Sequence, residues 1–200
     1  MTNNRQKLAI GLMSGTSLDG IDAALIKSDG VNVMHYGIPL SRPYDRHEHG
    51  ILKITLSEAR CEGQPTNKNT NINETSKMIT DLHIEVVKTL LRQNGLSPID
   101  IDVIGFHGQT LLHNPGEGWS WQIGDGNQLS KELGIQVVSD FRKYDVSNGG
   151  QGAPLVPVYH KAVFSGRGVK YPIGLINFGG VANVTWIGSD KTDDLIAFDT

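Results

Sequence analysis

The strongest constraint in this chain is a pattern that occurs twice: apolar run, glycine turn, apolar run, short turn, apolar run. In the first occurrence residues 8–13 are closed by Ser14-Gly15, residues 21–27 follow, and Ser28-Asp29-Gly30 leads into residues 31–40. In the second, residues 173–178 meet Gly179-Gly180, residues 181–187 follow, and Gly188-Ser189-Asp190 leads towards residues 195–198. Short apolar runs bounded by glycine and polar turn residues read as strands, so each occurrence predicts a three-stranded antiparallel meander. Leu8 and Ile173 stand 165 positions apart. Glycine hairpins recur by chance; the alternative is a duplicated fold whose second copy opens near residue 171. Glycine supplies 24 of 200 residues, against about 7% in an average protein. The excess stands at the ends of apolar runs, where turns are held close to a bound group.

Between the two meanders the pattern changes period. Residues 46–60 suit a helix, and the polar stretch 62–73, with asparagines at 67, 69, 71 and 73, reads as a loop. Asn73 is then expected to cap a helix running to about Asn94. Met78, Ile79, Leu82, Val86, Val87, Leu90 and Leu91 recur at three- and four-residue spacing, which places them on one buried face. Residues 101–106 are almost wholly apolar, as in a strand covered on both faces. A strand at 119–123, a short helix at 127–133, a strand at 135–139, a glycine-rich loop at 146–152 and a helix at 154–164 complete the reading. The expected organisation is an α/β lobe over residues 1–170 and the first strands of a second lobe over 171–200.

A net charge of -3 without a basic run argues against nucleic acid or an anionic membrane as the main partner. The lone Cys61 cannot form an internal disulfide and fits a reducing compartment. The first apolar run is too short for a signal peptide or a membrane span, so the expected location is cytoplasmic.

Four segments carry chemistry. In the first, Gly11-Leu-Met-Ser-Gly-Thr-Ser-Leu-Asp-Gly-Ile-Asp22, a strand turn presents backbone N–H groups and the Thr16 and Ser17 hydroxyls to one concavity. Such a nest holds phosphate oxygens without lysine. Asp19 and Asp22 offer the hard oxygens that suit Mg²⁺, directly or through water. The bland alternative is a hairpin turn whose small residues serve only the backbone. In the second, a strand exits through Gly105-Phe-His-Gly-Gln-Thr110. His107, Gln109 and Thr110 can bond sugar hydroxyls, an acetamido group or a carboxylate, or form a turn around a structural histidine. In the third, Asp140 follows an apolar strand and precedes Asn148-Gly-Gly-Gln-Gly-Ala-Pro-Leu-Val-Pro157. A carboxylate at a strand's C-terminal end suits a base for chemistry on a hydroxyl. It equally suits a helix cap or a pair with Arg142, and Asp145 is a second candidate base. The fourth is the glycine turn in Ile176-Asn-Phe-Gly-Gly-Val-Ala-Asn183.

In their order and wording these segments resemble the anhydro-N-acetylmuramic acid kinases, of the actin-like ATPase (ribonuclease H-like) fold. The resemblance implies ATP and Mg²⁺ as cofactors. It implies nucleotide contacts from Gly15, Thr16, Ser17, Leu18, Asp19, Gly20, Ile21 and Asp22, and from Asn177, Gly179, Gly180 and Asn183, with metal at Asp19 or Asp22. It places His107, Gly108, Gln109 and Thr110 in the sugar pocket, with Gly124 and Asp125 of Trp121-Gln-Ile-Gly-Asp-Gly-Asn-Gln128 beside them, and makes Asp140 the catalytic base. Asp199, in Ala197-Phe-Asp-Thr200, matches the start of a further motif. In many related sugar kinases an aspartate lies two residues before the turn glycine. Met13 holds that place here, which leaves the metal ligand open between Asp19 and Asp22. The implied reaction opens a 1,6-anhydro amino sugar with water and phosphorylates the freed oxygen, in a cytoplasmic homodimer that recycles cell wall. The competing readings are a non-catalytic sugar- or nucleotide-binding module and a glycoside hydrolase. The last calls for two carboxylates about one bond, where only Asp140 has a case.

Overall fold

The computed structural model describes residues 5–178, 182–191 and 194–200. The opening meander forms as the apolar runs dictate: β1 (Lys7–Ser14), β2 (Gly20–Ser28) and β3 (Val33–Pro43) pair antiparallel in sequence order. Then β4 (Val103–Asn114) joins β1 on its other side in parallel, with Ser14 opposite Gln109. Along its first part β4 also pairs in parallel with the two-residue β6 (Val137–Val138), and along its second part antiparallel with β5 (Trp119–Ile123). The resulting order, β3-β2-β1-β4 followed by β6 or β5, is a mixed sheet in which β1, β3, β4 and β6 run one way and β2 and β5 the other. This is the ribonuclease H-like arrangement, with β5 as an added hairpin.

Helices cover the sheet because their apolar stripes need it. The helix α1 (Arg46–Glu62) starts at Asp45, which accepts the N–H of His47 and Glu48, while Glu48 reaches back to the N–H of Asp45. Glu48 also takes the Arg42 guanidinium through two oxygens, one at 2.7 Å. The long α2 (Thr70–Gln93) turns Ile79, Val86, Val87 and Leu90 into the core. Each such side chain contributes about 1.5–3 kcal/mol on burial. Its cap is Asn69, not the expected Asn73, which lies inside the first turn and donates to the Asn67 carbonyl instead. Any of the four asparagines has the right chemistry; only the path of the preceding loop selects one.

Two further features matter for the site. Strand β4 does not end at the His-Gly-Gln-Thr segment but runs through it to Asn114, because β5 satisfies its backbone on the far side. A helix, α4 (Phe141–Ser147), follows Asp140, so that Asp140 stands at an N-cap position, one of the alternatives its sequence context allowed. The remaining helices are α3 (Gly126–Leu133) and α5 (Pro157–Phe164), the latter starting three residues later than expected. A separate antiparallel sheet of β7 (Ile173–Asn177), β8 (Asn183–Ile187) and β9 (Leu195–Asp199) closes the chain. Helix α5 bridges the two sheets: Tyr159 bonds His35 of β3, and His160 bonds Thr185 of β8 at 3.0 Å. Among the described residues no helix is long and apolar enough to cross a membrane.

Candidate active site

At the point where β4 passes from β6 to β5, a cavity of about 310 Å³ opens. Its walls are His107 and Gly108 of β4, the Gly124-Asp125-Gly126 turn, and Ser139-Asp140. Two glycines make the close approach possible. Gly108 has φ +69°, and a Cβ there would meet the Ile123 carbonyl at 2.5 Å; Gly124 has φ +117°, and a Cβ would meet the Phe106 ring at 2.6 Å. Helix α2 fixes the turn from below, since the Gly124 N–H donates to Ser76 and the Asp125 N–H to Thr80, each at 2.9 Å. The Asp125 carboxylate accepts the N–H groups of Asn127 and Gln128, so it caps α3 at the cavity's edge.

Asp140 enters this cavity from the end of β6. It occupies the N-cap position of α4 at φ +60° but makes no capping bond, and among the described residues its carboxylate has no hydrogen-bond or ion-pair partner. The alternative pairing with Arg142 does not form. Arg142 turns the other way: its Nε donates to His107 Nε2 at 2.8 Å and its Nη1 to the Gly152 carbonyl at 2.7 Å. His107 Nδ1 meets the Gly108 carbonyl at 2.7 Å, so both ring nitrogens are engaged. Burial, seconded by the Arg142 charge, holds the imidazole below its ordinary pKa and keeps it neutral. A neutral ring with both nitrogens committed is a poor base. Asp145, the second candidate base, accepts the Gly152 N–H at 2.7 Å and closes the glycine-rich loop.

The turn after β1 is tied to the same stretch of β4. Ser14 Oγ donates to the Gly108 carbonyl at 2.9 Å, and Gln109 Nε2 donates to the Gly15 carbonyl at 2.8 Å. Tyr44 in turn donates to Gln109 Oε1 at 3.3 Å; burial pushes its phenol up to about 12. The predicted quartet 107–110 therefore divides. His107 and Gly108 face the cavity, whereas Gln109 and Thr110 are buried, the latter accepting from Gln122 at 3.3 Å. Within the turn Thr16, Ser17 and Asp19 are exposed. Leu18, at φ +55°, and Ile21 send their side chains into the core, so they can offer a ligand only backbone. Gly20 lies at the start of β2, against Arg42 of β3. Ser17 donates to Asp19 at 2.7 Å, and Ser41 of β3 donates to Asp22.

Asp19 and Asp22 are the oxygen donors that the turn and the start of β2 offer to Mg²⁺. Both aspartates are exposed, oxygen-only and steadied by a hydroxyl, which fits a hard cation. Among the described residues no three His, Cys, Asp or Glu side chains form a complete metal cage. In the second sheet Asn177 and Asn183 face each other across the β7–β8 pair; Gly179 and Gly180 lie outside the described residues. Asp199, opposite Asn183 on β9, acts electrostatically on Arg142, opposing the drop that burial imposes on the guanidinium.

Residues 7–200 match the sequence model of the anhydro-N-acetylmuramic acid kinase family. The chain belongs to that family. It is 50% identical over 202 residues to the anhydro-N-acetylmuramic acid kinase of Methylobacterium nodulans, covering 96% of this chain and 54% of that protein. It is 51% identical over 192 residues to the same-named protein of Rhodopseudomonas palustris, covering 96% and 52%. The chain thus spans about half the length of the curated relatives it matches. A solved exopolyphosphatase-like protein is similar at 13% identity with a TM-score of 0.44, over 97% of this chain and 50% of that one.

For a member of the anhydro-N-acetylmuramic acid kinase family, the residues that sequence reasoning missed are those that hold others in place. Arg142 was weighed only as a partner for Asp140, and Ser14 only as part of a turn. Ser76 carried no signal, because a serine on a helix face gives no hint that it receives a distant N–H.

Proposed function

We propose that this chain supplies the sugar pocket and the first phosphate-holding turn of a kinase acting on 1,6-anhydro-N-acetylmuramic acid. The observation that carries the reading is the unpartnered Asp140 carboxylate in one cavity with His107 and Gly108, on the strand segment bonded to the turn at 15–20. A base must be free to take a proton, and of the carboxylates on this cavity Asp125 is committed to a helix while Asp140 is not.

Asp140 removes a proton from a water molecule, whose oxygen adds to the anomeric carbon as the bond from that carbon to O6 breaks. The freed O6 attacks the γ-phosphorus of ATP, ADP departs, and the product is N-acetylmuramic acid 6-phosphate. The leaving oxygen of the first step is the nucleophile of the second, so one base suffices. Thr16, Ser17 and the backbone of residues 15–20 hold phosphate oxygens, with Asn177 and Asn183 opposite them. Asp19 or Asp22 would hold Mg²⁺, directly or through water, and the ion would supply charge neutralisation at the phosphates. Residues 1–170 form the first lobe and 171–200 open the second. The family likeness extends the reading to a cytoplasmic homodimer serving cell-wall recycling.

The test is acceptor choice. The full-length protein should release ADP with the anhydro sugar and not with N-acetylmuramic acid, which has no ring to open. Equal turnover of the two would refute the coupled mechanism.

A further inference from the structure

The turn at residues 15–19 is anchored at both ends through carbonyl oxygens, and both anchors lead to Tyr44. At the far end the Tyr44 N–H donates to the Asp19 carbonyl at 3.0 Å. At the near end Gln109 Nε2 donates to the Gly15 carbonyl at 2.8 Å, and the Tyr44 hydroxyl donates to Gln109 Oε1 at 3.3 Å. The Gly15 carbonyl also accepts the Leu18 N–H at 3.2 Å, which closes the turn on itself. Gln109 is fully buried, and its Nε2 donates as well to the Thr110 carbonyl at 3.1 Å. Two carbonyls therefore fix the amide's orientation, because a flipped amide would set its oxygen against both. Tyr44 is held in turn. Its ring packs against both apolar clusters of the lobe, the one containing Ile10 and Phe106 and the one containing Leu18 and Leu52. With its phenol pushed up to about 12 by burial, it remains a hydroxyl donor at neutral pH.

We propose that Tyr44 and Gln109 form a strut that sets the phosphate-holding turn, an inference that rests on the kinase reading given above. Both are positioning residues for the nucleotide, and Gln109 leaves the sugar pocket in which its motif had placed it. The Gly15–Thr16 peptide is trans, and a trans peptide points its C=O and its N–H in opposite directions. Drawing the Gly15 carbonyl onto Gln109 therefore turns the Thr16 N–H outward, towards the side on which Thr16 and Ser17 are exposed. A phosphate oxygen needs a donor aimed in that way, and the strut aims it before any nucleotide arrives. Without the strut the peptide is free to rotate, and binding has to supply the cost of ordering it.

The test uses the full-length protein, as wild type, Tyr44→Phe and Gln109→Met. Tyr44→Phe removes one hydroxyl and keeps the ring in both clusters; Gln109→Met keeps the side-chain length and removes every bond of the strut. Tyr44→Phe should raise the KM for ATP about three- to ten-fold and leave the KM for the anhydro sugar within about two-fold of wild type. Gln109→Met should raise the KM for ATP further, above about ten-fold; should it fail to fold, Tyr44→Phe decides alone. Two readouts need no turnover. In Tyr44→Phe the calorimetric Kd for ADP should weaken by about the same factor as the KM for ATP. Amide exchange at Leu18 should quicken in the nucleotide-free protein. A general loss of stability would not divide nucleotide from sugar in this way. A KM for ATP in Tyr44→Phe within about two-fold of wild type, or a sugar KM that rises alongside it, would overturn the proposal. Absence of ADP release by wild type with the anhydro sugar would defeat the kinase reading instead. ADP binding and Leu18 exchange would then decide the strut by themselves: weaker binding with faster exchange in Tyr44→Phe supports it. Unchanged binding, or no ADP binding by wild type, overturns it.

Discussion

His83 allows the packing beneath the site to be tested through pH alone. The ring is fully buried on α2, edge-on to Phe106 at 4.9 Å between centroids, and Nδ1 meets the Ile79 carbonyl at 2.7 Å. Nε2 lies 3.5 Å from Ser14 Oγ, the hydroxyl that ties the end of β1 to β4. Burial lowers its pKa from 6.5 to about 4. Because the folded value is depressed, the unfolded chain takes up the proton first. The neutral ring's contribution is whole above pH 6.5 and drains away as pH falls towards 4. A shift of that size corresponds to about 3 kcal/mol, lost at up to about 1.4 kcal/mol per pH unit. Urea unfolding between pH 7 and 4, on wild type and on His83→Gln, isolates the term. The stability advantage of wild type should shrink by about that amount across the window and level off below it. A difference that stays flat from pH 7 to 4 would refute the buried, neutral assignment.

Other consequences follow from the same contacts. Gly108→Ala combines a positive φ with a 2.5 Å approach to the Ile123 carbonyl, so thermal unfolding should report a loss of about 2–4 kcal/mol. Its ADP release should fall as the β4–β5 register shifts. Glu48 is held below the ordinary glutamate value near 4.5, first by the Arg42 hydrogen bonds; its stabilisation is present above that value and lost as pH falls through the depressed one. Glu48→Gln should therefore cost about 1–2 kcal/mol at pH 7 and flatten the acid limb of the stability profile. Arg142→Lys keeps the charge but not the fork that reaches both His107 and Gly152. We expect a fall of about ten-fold in kcat/KM and faster amide exchange at Gly152.

The elements that could be read from sequence are those whose side chains announce their period. The first meander follows from apolar runs cut by glycine, and α2 from its stripe of Met78, Ile79, Leu82, Val86 and Val87. Helix α4 was not legible: seven residues with only Val146 buried give no stripe to detect. Strand β4 was read too short because His107 to Thr110 are polar, and polar residues in a strand make sense only once β5 is known to pair there. The same limit governed the site. Asp140 was visible as a carboxylate after an apolar run, but the contacts that leave it free are tertiary: Arg142 is drawn away to His107, and Asp145 to Gly152. Leu18 carried no clue that it takes a left-handed backbone to bury its side chain.

The central claim is that a carboxylate left without a partner does the chemistry, and one substitution addresses it. Asp140→Asn in the full-length protein, with ADP release and sugar binding measured on the same preparation, should lower turnover by about 10²–10⁴ while the sugar Kd stays close to wild type. Turnover within about ten-fold of wild type, where loss of a general base requires at least about a hundred-fold, would contradict the account.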